Sequence, residues 1–555
     1  LTQIRKVLRK IKMLIKRMKG VVVAATSFFH CLHLLIRESE AACLDWCEDE
    51  HVPWFNATGV QKCEFVDCDS CIPCLQMRST ALEADFTHEP PMNDFLAKSP
   101  WPMTHRNSYA QASSPYRGPE KNEVRRTTFS SSALRNTGVG LITICFSSPY
   151  PDGDTAVWAS SGSNIIKATT SLQYIDKRPK NEERIAGNLL SGAYTLVDND
   201  NIFYVPEVTL IRAYGDQEEN VLTSPIDLKR TYVVPAEHIS GADEVIVGMT
   251  ITYDGFLAFV TSRGLFGVVS RDFNAAYFYS LEGAVSNSIA CDENGGIYIV
   301  SSTNIYRIQW TGSDLSSLEE DGGWVAKYKN ECGAVGSVAL DAGSGSTPSL
   351  MGTDADDDKF VVTSDCQDVM NLVLFWRDEI PDDWEILPGT VDRRIAGQVP
   401  VQFGDTGTDS SFSEQSVLVR GYGALVVNNE LGIEDFSFNP VIASGLGFIA
   451  PKGVERFEWN PSTRLLEQVW VNEGVSIPNG IPTMSQKSNM MYGVSHGLGT
   501  WTFIALDWTT GERIFEKRFG IGLLFNSAYA GTEIGPFGQL YTGVLDGMVL
   551  MKKQN

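Results

Sequence analysis

Beyond its first 42 residues this 555-residue chain has little positive charge to spare. Residues 1–42 hold nine Lys/Arg against two Asp/Glu, a net of +7, so the overall −23 leaves −30 for the remainder. An acidic body of that size repels nucleic acid and anionic membrane, and neither is expected to partner it. Long helical periodicities are scarce as well. No G-x-S-x-G, H-E-x-x-H or phosphate-binding loop occurs, which removes the hydrolytic routes those motifs serve. A single N-x-S/T sequon without proline exists, at Asn56.

What is present is a grammar of short strands and turns, with 49 glycines to serve the turns. It is most legible over 287–310, where an apolar run ends at Asp292-Glu293-Asn294-Gly295-Gly296 and a strand follows over 297–300. Ser301 to Asn304 then turns the chain, and 305–308 alternates apolar and polar as a half-buried strand does. Recurrence of this meander at about 40 to 70 residues predicts an all-β fold, a β-propeller of four-stranded blades. The count favours eight blades, with seven next.

The expected blades run over 141–177, 193–234, 247–278, 287–328, 347–400, 414–472, 481–520 and 529–551. Only three strands are legible in the last, so a strand over 127–132 is expected to complete it and close the ring. Four regions result: 1–42, 43–78, 79–136 and the propeller at 137–555.

The first region sets Ile4, Val7, Leu8, Ile11, Leu14, Ile15 and Met18 at helical spacing against a Lys/Arg face, followed by a largely apolar run over 21–36. It is expected to be a secretory signal, or alternatively a type II signal anchor, so that the body is extracellular or lumenal and touches membrane only through this segment. The second region carries Cys43, Cys47, Cys63, Cys68, Cys71 and Cys74. A translocated segment this small is expected to need disulfides, and six cysteines allow fifteen pairings. Zinc on Cys68, Cys71 and Cys74 with Cys63 or His51 is the alternative. Asn56 lies inside this module and is the expected glycosylation site. The third region, rich in Pro and Ser, is expected to be a linker. Within it, 101–109 is expected to pack on the barrel as a strap or to contribute His105 to a site.

Two motifs carry resemblances. Ala505-Leu506-Asp507-Trp508-Thr509-Thr510-Gly511 resembles the A-x-D-x-x-T-G repeat of quinoprotein-like propellers. Asp292 to Ile308 is similar to the D-x-x-G-x-I-Y repeat of strictosidine-synthase-like and gluconolactonase-type propellers. The cysteine module, with Trp46 and Trp54, resembles small modules of secreted algal proteins. The propeller resemblance implies the fold and, in the gluconolactonase-like case, calcium held by Asn and carboxylate oxygens. Quinone enzymes of the first kind carry an adjacent cysteine pair, which this chain lacks, so no PQQ is expected.

In a propeller, the loops leading into the inner strands share one face with the hairpins joining second to third strands. Asn287, Ser346, Thr347, Glu414, Gln415 and Asn526 fall in the first set; Arg263, Asp365, Gln367, Asn428, Asn429 and His496 in the second. Asn287, Glu414 and Asn526 form the expected metal set, while His496, His105 and Arg263 are the catalytic candidates. Strand capping is the plainer role for the polar residues among them. The expected function is a small-ligand enzyme of lactonase, hydrolase or isomerase type, calcium-assisted in one version. The alternative is a non-catalytic propeller that binds a glycan or protein.

Overall fold

Asp292 shows how the chain is cut into strands. Its Oδ1 accepts the backbone N–H groups of Asn294 and Gly296, at 2.9 and 2.8 Å, and Gly295 takes the left-handed conformation (φ 82°) that closes the turn. Its Oδ2 accepts the Tyr298 hydroxyl from the next strand at 2.6 Å. Asp198 repeats the device six residues before Tyr204, accepting N–H groups of Asp200 and Ile202 and the Tyr204 hydroxyl. Asp507 does related work in the resembling motif, where its Oδ1 accepts the Thr509 and Thr510 N–H groups. There, a Cβ on Gly511 (φ 73°) would stand 2.6 Å from the Trp470 ring.

The computed structural model describes residues 83–129, 142–180, 192–331, 344–353, 355–431, 443–445 and 449–553. They form eight antiparallel sheets, the blades of a propeller, each built on a four-stranded meander. Most predicted strands lie within one to three residues of their observed bounds, as with Asn371–Trp376 in the fifth blade and Asn164–Thr169 in the first. A short strand in the fourth blade, Leu315–Ser316, has no counterpart in the sequence reading. The ring closes as expected: Val124–Phe129 pairs antiparallel with Gly547–Lys553 and becomes the outermost strand of the eighth blade, Thr127 facing Met551.

Apolar faces of neighbouring blades meet in successive clusters, which is where the core sits. Between the fifth and sixth blades Trp376, Trp384, Trp459 and Phe360 pack in edge-to-face and tilted pairs, with the ring centroids of Trp376 and Trp384 5.2 Å apart. This places the Trp376 and Trp384 pair in the core. Of the Asp354 to Asp358 run, Asp354 lies outside the described residues, Asp356 accepts from Thr353, and Asp358 accepts the Trp459 indole N–H at 2.8 Å.

The expected linker proves to be largely core. Over 93–118 the chain enters the central channel and circles its axis. Asn93 donates to the Ile251 carbonyl of the third blade, and Ala97 donates to Val197 of the second. Trp101, Ser108, Tyr109, Gln111 and Ala112 then offer carbonyls to Phe146, Cys291, Leu350, Val419 and Met484 of the first, fourth, fifth, sixth and seventh blades. Ser113–Ser114 finishes the circuit as a parallel partner of Thr483–Ser485. Trp101, Met103 and Tyr109 are buried, so this strap is the axial filling of the ring. The cysteine module, Asn56 and the N-terminal helix expectation all fall outside the described residues. No helix among those described is long and apolar enough to cross a membrane.

Candidate functional site

The channel is not filled at the end where the chain enters the inner strands. A cavity of about 600 Å³, counting space open to solvent, remains there. Thr143, Tyr194, Asn287, Glu414 to Ser416, Ile481 and Gly531 line it, each beginning or just preceding an innermost strand. The strap closes it from within by Trp101, Thr104 and His105. Glu533, in the inner strand Thr532–Ile534, and Tyr529 complete the wall.

Its chemistry is that of buried polar groups. No Lys or Arg lines it. His105 is 4% exposed, and burial alone lowers its imidazole to about 4, so it is neutral at physiological pH. Glu533 is 2% exposed, and burial pushes its carboxyl well above the ordinary range, which favours its neutral form. Burial likewise holds the hydroxyls of Tyr194 and Tyr529 protonated. The Tyr529 hydroxyl donates to Glu414, and that of Tyr194 to Asn287. Three atoms on this wall have no hydrogen-bond partner: His105 Nδ1, Glu533 Oε2 and Gln415 Nε2.

Of the expected metal set, Asn287 and Glu414 meet in this cavity. Asn526 does not line it; its Oδ1 accepts from Asn479 Nδ2 and the Ala528 N–H, both at 2.8 Å. Asn287 Oδ1 already accepts from Tyr194, Thr347 and the Ser288 N–H. An oxygen crowded by donors is a poor cation ligand, so these side chains as arranged do not fit calcium. No cluster of three or more His, Cys, Asp or Glu suited to a metal occurs among the described residues.

Of the catalytic candidates, only His105 reaches the cavity. His496 is buried elsewhere, its ring 4.2 Å from that of Trp501, with both ring nitrogens unpartnered. Arg263 lies exposed, its Nη2 donating to both carboxylate oxygens of Asp243. Asn428 and Asn429 bond backbone carbonyls of Lys452 and Pro478, as capping residues do. Cys145 and Cys291 are buried free thiols, and burial raises Cys145 to about 12, which leaves it inert.

Sequence reasoning missed Glu533, Tyr194 and Tyr529, and placed Trp101 only within the strap. A carboxylate inside the short inner strand Thr-Glu-Ile was a usable signal for the first, since an inner strand offers no solvent for a charge. The tyrosines gave none, because a Tyr beginning a strand reads as packing.

No family model matches the chain. An uncharacterised protein of Archaeoglobus fulgidus is 44% identical over 480 residues, covering 83% of this chain and 89% of the relative. Among solved structures, a quinohemoprotein alcohol dehydrogenase of Pseudomonas putida superposes with a TM-score of 0.52 at 13% identity, over 82% of this chain and 80% of that one. That likeness shows the propeller fold alone. The periplasmic gluconolactonase of Pseudomonas aeruginosa gives 0.39 at 11% identity, over 69% and 97% of the two chains, and carries no argument.

Proposed function

Because the chain belongs to the family of the uncharacterised Archaeoglobus fulgidus protein, which brings no activity with it, we propose a function from the cavity itself: binding of a small, uncharged, polar ligand at the channel mouth, as an enzyme-like propeller. The observation that carries this reading is a cavity at the channel mouth that gathers polar side chains from the strap and from several inner-strand starts, with no Lys or Arg among them. Three side chains of that wall, His105, Gln415 and Glu533, each keep one buried polar atom unpartnered, at about 1–3 kcal/mol apiece. The wall has no cation to balance a phosphate or carboxylate. Trp101 and Ile481 supply apolar surface, which suits the carbon skeleton of a lactone, sugar or hydroxyketone.

A thermal-shift and calorimetric panel tests this. Neutral lactones, aldoses, polyols and hydroxyketones are expected to include binders that raise the melting temperature, while their carboxylate and phosphate counterparts leave it unchanged. Binding confined to anions, or to none of the panel, overturns the reading. Calcium in the same panel tests the metal-assisted version, which requires Asn287 to exchange its donors for an ion. No quinone cofactor is assigned, on the sequence ground given above.

Translocation by residues 1–42, glycosylation at Asn56 and the disulfide framework of Cys43 to Cys74 stand beside this as proposals from sequence. Intact mass with and without reduction, on secreted protein, decides the last of them: six free thiols there would end it.

A further inference from the structure

Two adjoining turns on the channel-mouth face of the seventh blade leave aliphatic side chains in water. Gly497 pairs with Thr500, so Leu498 and Gly499 are the central residues of the hairpin that joins the second and third strands of that blade. Both have positive φ, 49° and 78°, as a type I′ turn requires. Asn, Asp or Gly is at ease in the first of these positions, whereas a leucine there is strained. Leu498 is also 92% exposed. It therefore costs the free chain twice, in backbone conformation and in apolar surface left in water.

The second turn lies directly beside the first. The outer strand of the blade ends at Ile521, which pairs with Thr500, and Gly522 donates its N–H to the Gly499 carbonyl at 2.9 Å. Ile521, Leu523 and Leu524 are 57, 41 and 57% exposed. Their backbone is fixed, because Asn526 and Asp546 donate N–H groups to the carbonyls of Leu523 and Leu524 at 3.0 and 3.2 Å. The surroundings are open: nothing stands within 4 Å of a Cβ placed on Gly497, Gly499 or Gly522. Together the four side chains expose about 400 Å² of apolar surface, as large as the patches that mark contact sites on single chains. Neither 497–500 nor 519–526 contains a charged residue, in a chain of net charge −23.

We propose that this patch is the contact of a two-fold dimer of this chain. Face to face, the Leu498 tip of one copy rests on the 521–524 turn of the other, and the symmetry repeats that contact. The two patches bury about 800 Å² at the centre, and a polar rim of similar size brings the total to about 1,600 Å², which is what a stable interface needs. The lack of charge matters as much as the area. On an acidic body most surfaces repel their own copy, while an uncharged patch meets itself without opposing like charges. Within these two segments no cation is present to draw an anionic bilayer instead. From Leu524 the chain runs on to Tyr529 of the cavity wall, so the contact borders the channel mouth.

Sedimentation velocity of the full chain from about 0.1 to about 100 µM tests this. Wild type is expected to pass from monomer to a closed dimer, and to do so at lower concentration as salt is raised, because repulsion between the bodies is screened and the apolar contact is kept. Leu498→Asn, an exchange that suits the turn, is expected to raise the melting temperature of the dilute monomer and to weaken the dimer by about 10-fold or more, since each substitution enters the contact twice. Leu524→Asn is expected to weaken the dimer to a similar degree with the monomer's melting temperature unchanged. Residues 1–42 are common to every variant, so a difference between variants belongs to the patch. A wild type monomeric throughout, a dimer that survives both exchanges, or open-ended assembly overturns the proposal. A fall in the melting temperature of dilute Leu498→Asn also overturns it, as the mark of a side chain covered within its own chain. Binding of monomer to phosphatidylcholine vesicles that both exchanges abolish, without dimer formation, overturns it in favour of a lipid contact.

Discussion

At the scale of single residues, burial decides charge throughout the channel, and Asp365 gives the clearest titration. It sits 3% exposed in the hairpin joining the second and third strands of the fifth blade, accepting Asn371 N–H and Nδ2 at 2.7 Å each. Burial outweighs these bonds and raises its carboxyl to about 6. The folded state then binds this proton more tightly than the unfolded chain does. That contribution to stability is fully present below the unfolded value of 3.8 and is lost as the pH rises through about 6. Asp365→Asn should therefore gain on wild type by about 2 kcal/mol between pH 4 and pH 7. Urea unfolding of both forms across that range measures it, and a pH-independent difference between them refutes it. The adjoining Cys366 is disulfide-bonded, and Glu331 donates its N–H to the Cys366 carbonyl at 2.8 Å. Cys332, the next residue along, lies outside those described.

At the scale of elements, two segments before the first blade do different jobs. Val124–Phe129 covers the outer edge of Gly547–Lys553, which would otherwise offer a row of unpaired backbone groups. Removing residues 120–129 is expected to lower the urea midpoint and to produce edge-paired oligomers, read by light scattering; an unchanged midpoint with a monomeric species refutes the closure role. The strap over 93–118 works from inside, through backbone bonds that no side-chain pattern announces. Its reading as a linker followed from Pro and Ser content and from the lack of any period. A chain that circles an axis has no period to show, because each residue faces a different blade.

At the scale of the whole molecule, blades alone would behave as a series of repeats coupled only to their neighbours. The strap changes this, since one segment bonds the inner strands of seven blades and the closing strand joins the first part of the propeller chain to the eighth. Unfolding of the propeller is accordingly expected as one calorimetric transition. Trp101→Ala, which opens a cavity beside the first blade at about 3–5 kcal/mol, should move that transition down without splitting it. Separate melting of groups of blades in the variant or the wild type would contradict the axial role of the strap.

Blade number, most strand bounds, the Asp-centred turns and the closing strand were legible in the sequence, because each rests on local chemistry: alternation at period two, a carboxylate capping a turn, a glycine where φ is positive. The face of the site was legible too, since connectivity alone puts the starts of the inner strands together. Which of those residues meet was settled only by the tertiary structure. Asn287, Glu414 and Gln415 reach one cavity with His105, whereas Asn526 and His496 turn into other contacts. Burial raises the Glu533 carboxyl, and His105 meets Thr347 and Ser416, partners more than two hundred residues away in sequence. Neither desolvation nor a hydrogen-bond chain closed around an axis is written in the neighbours of a residue along the chain.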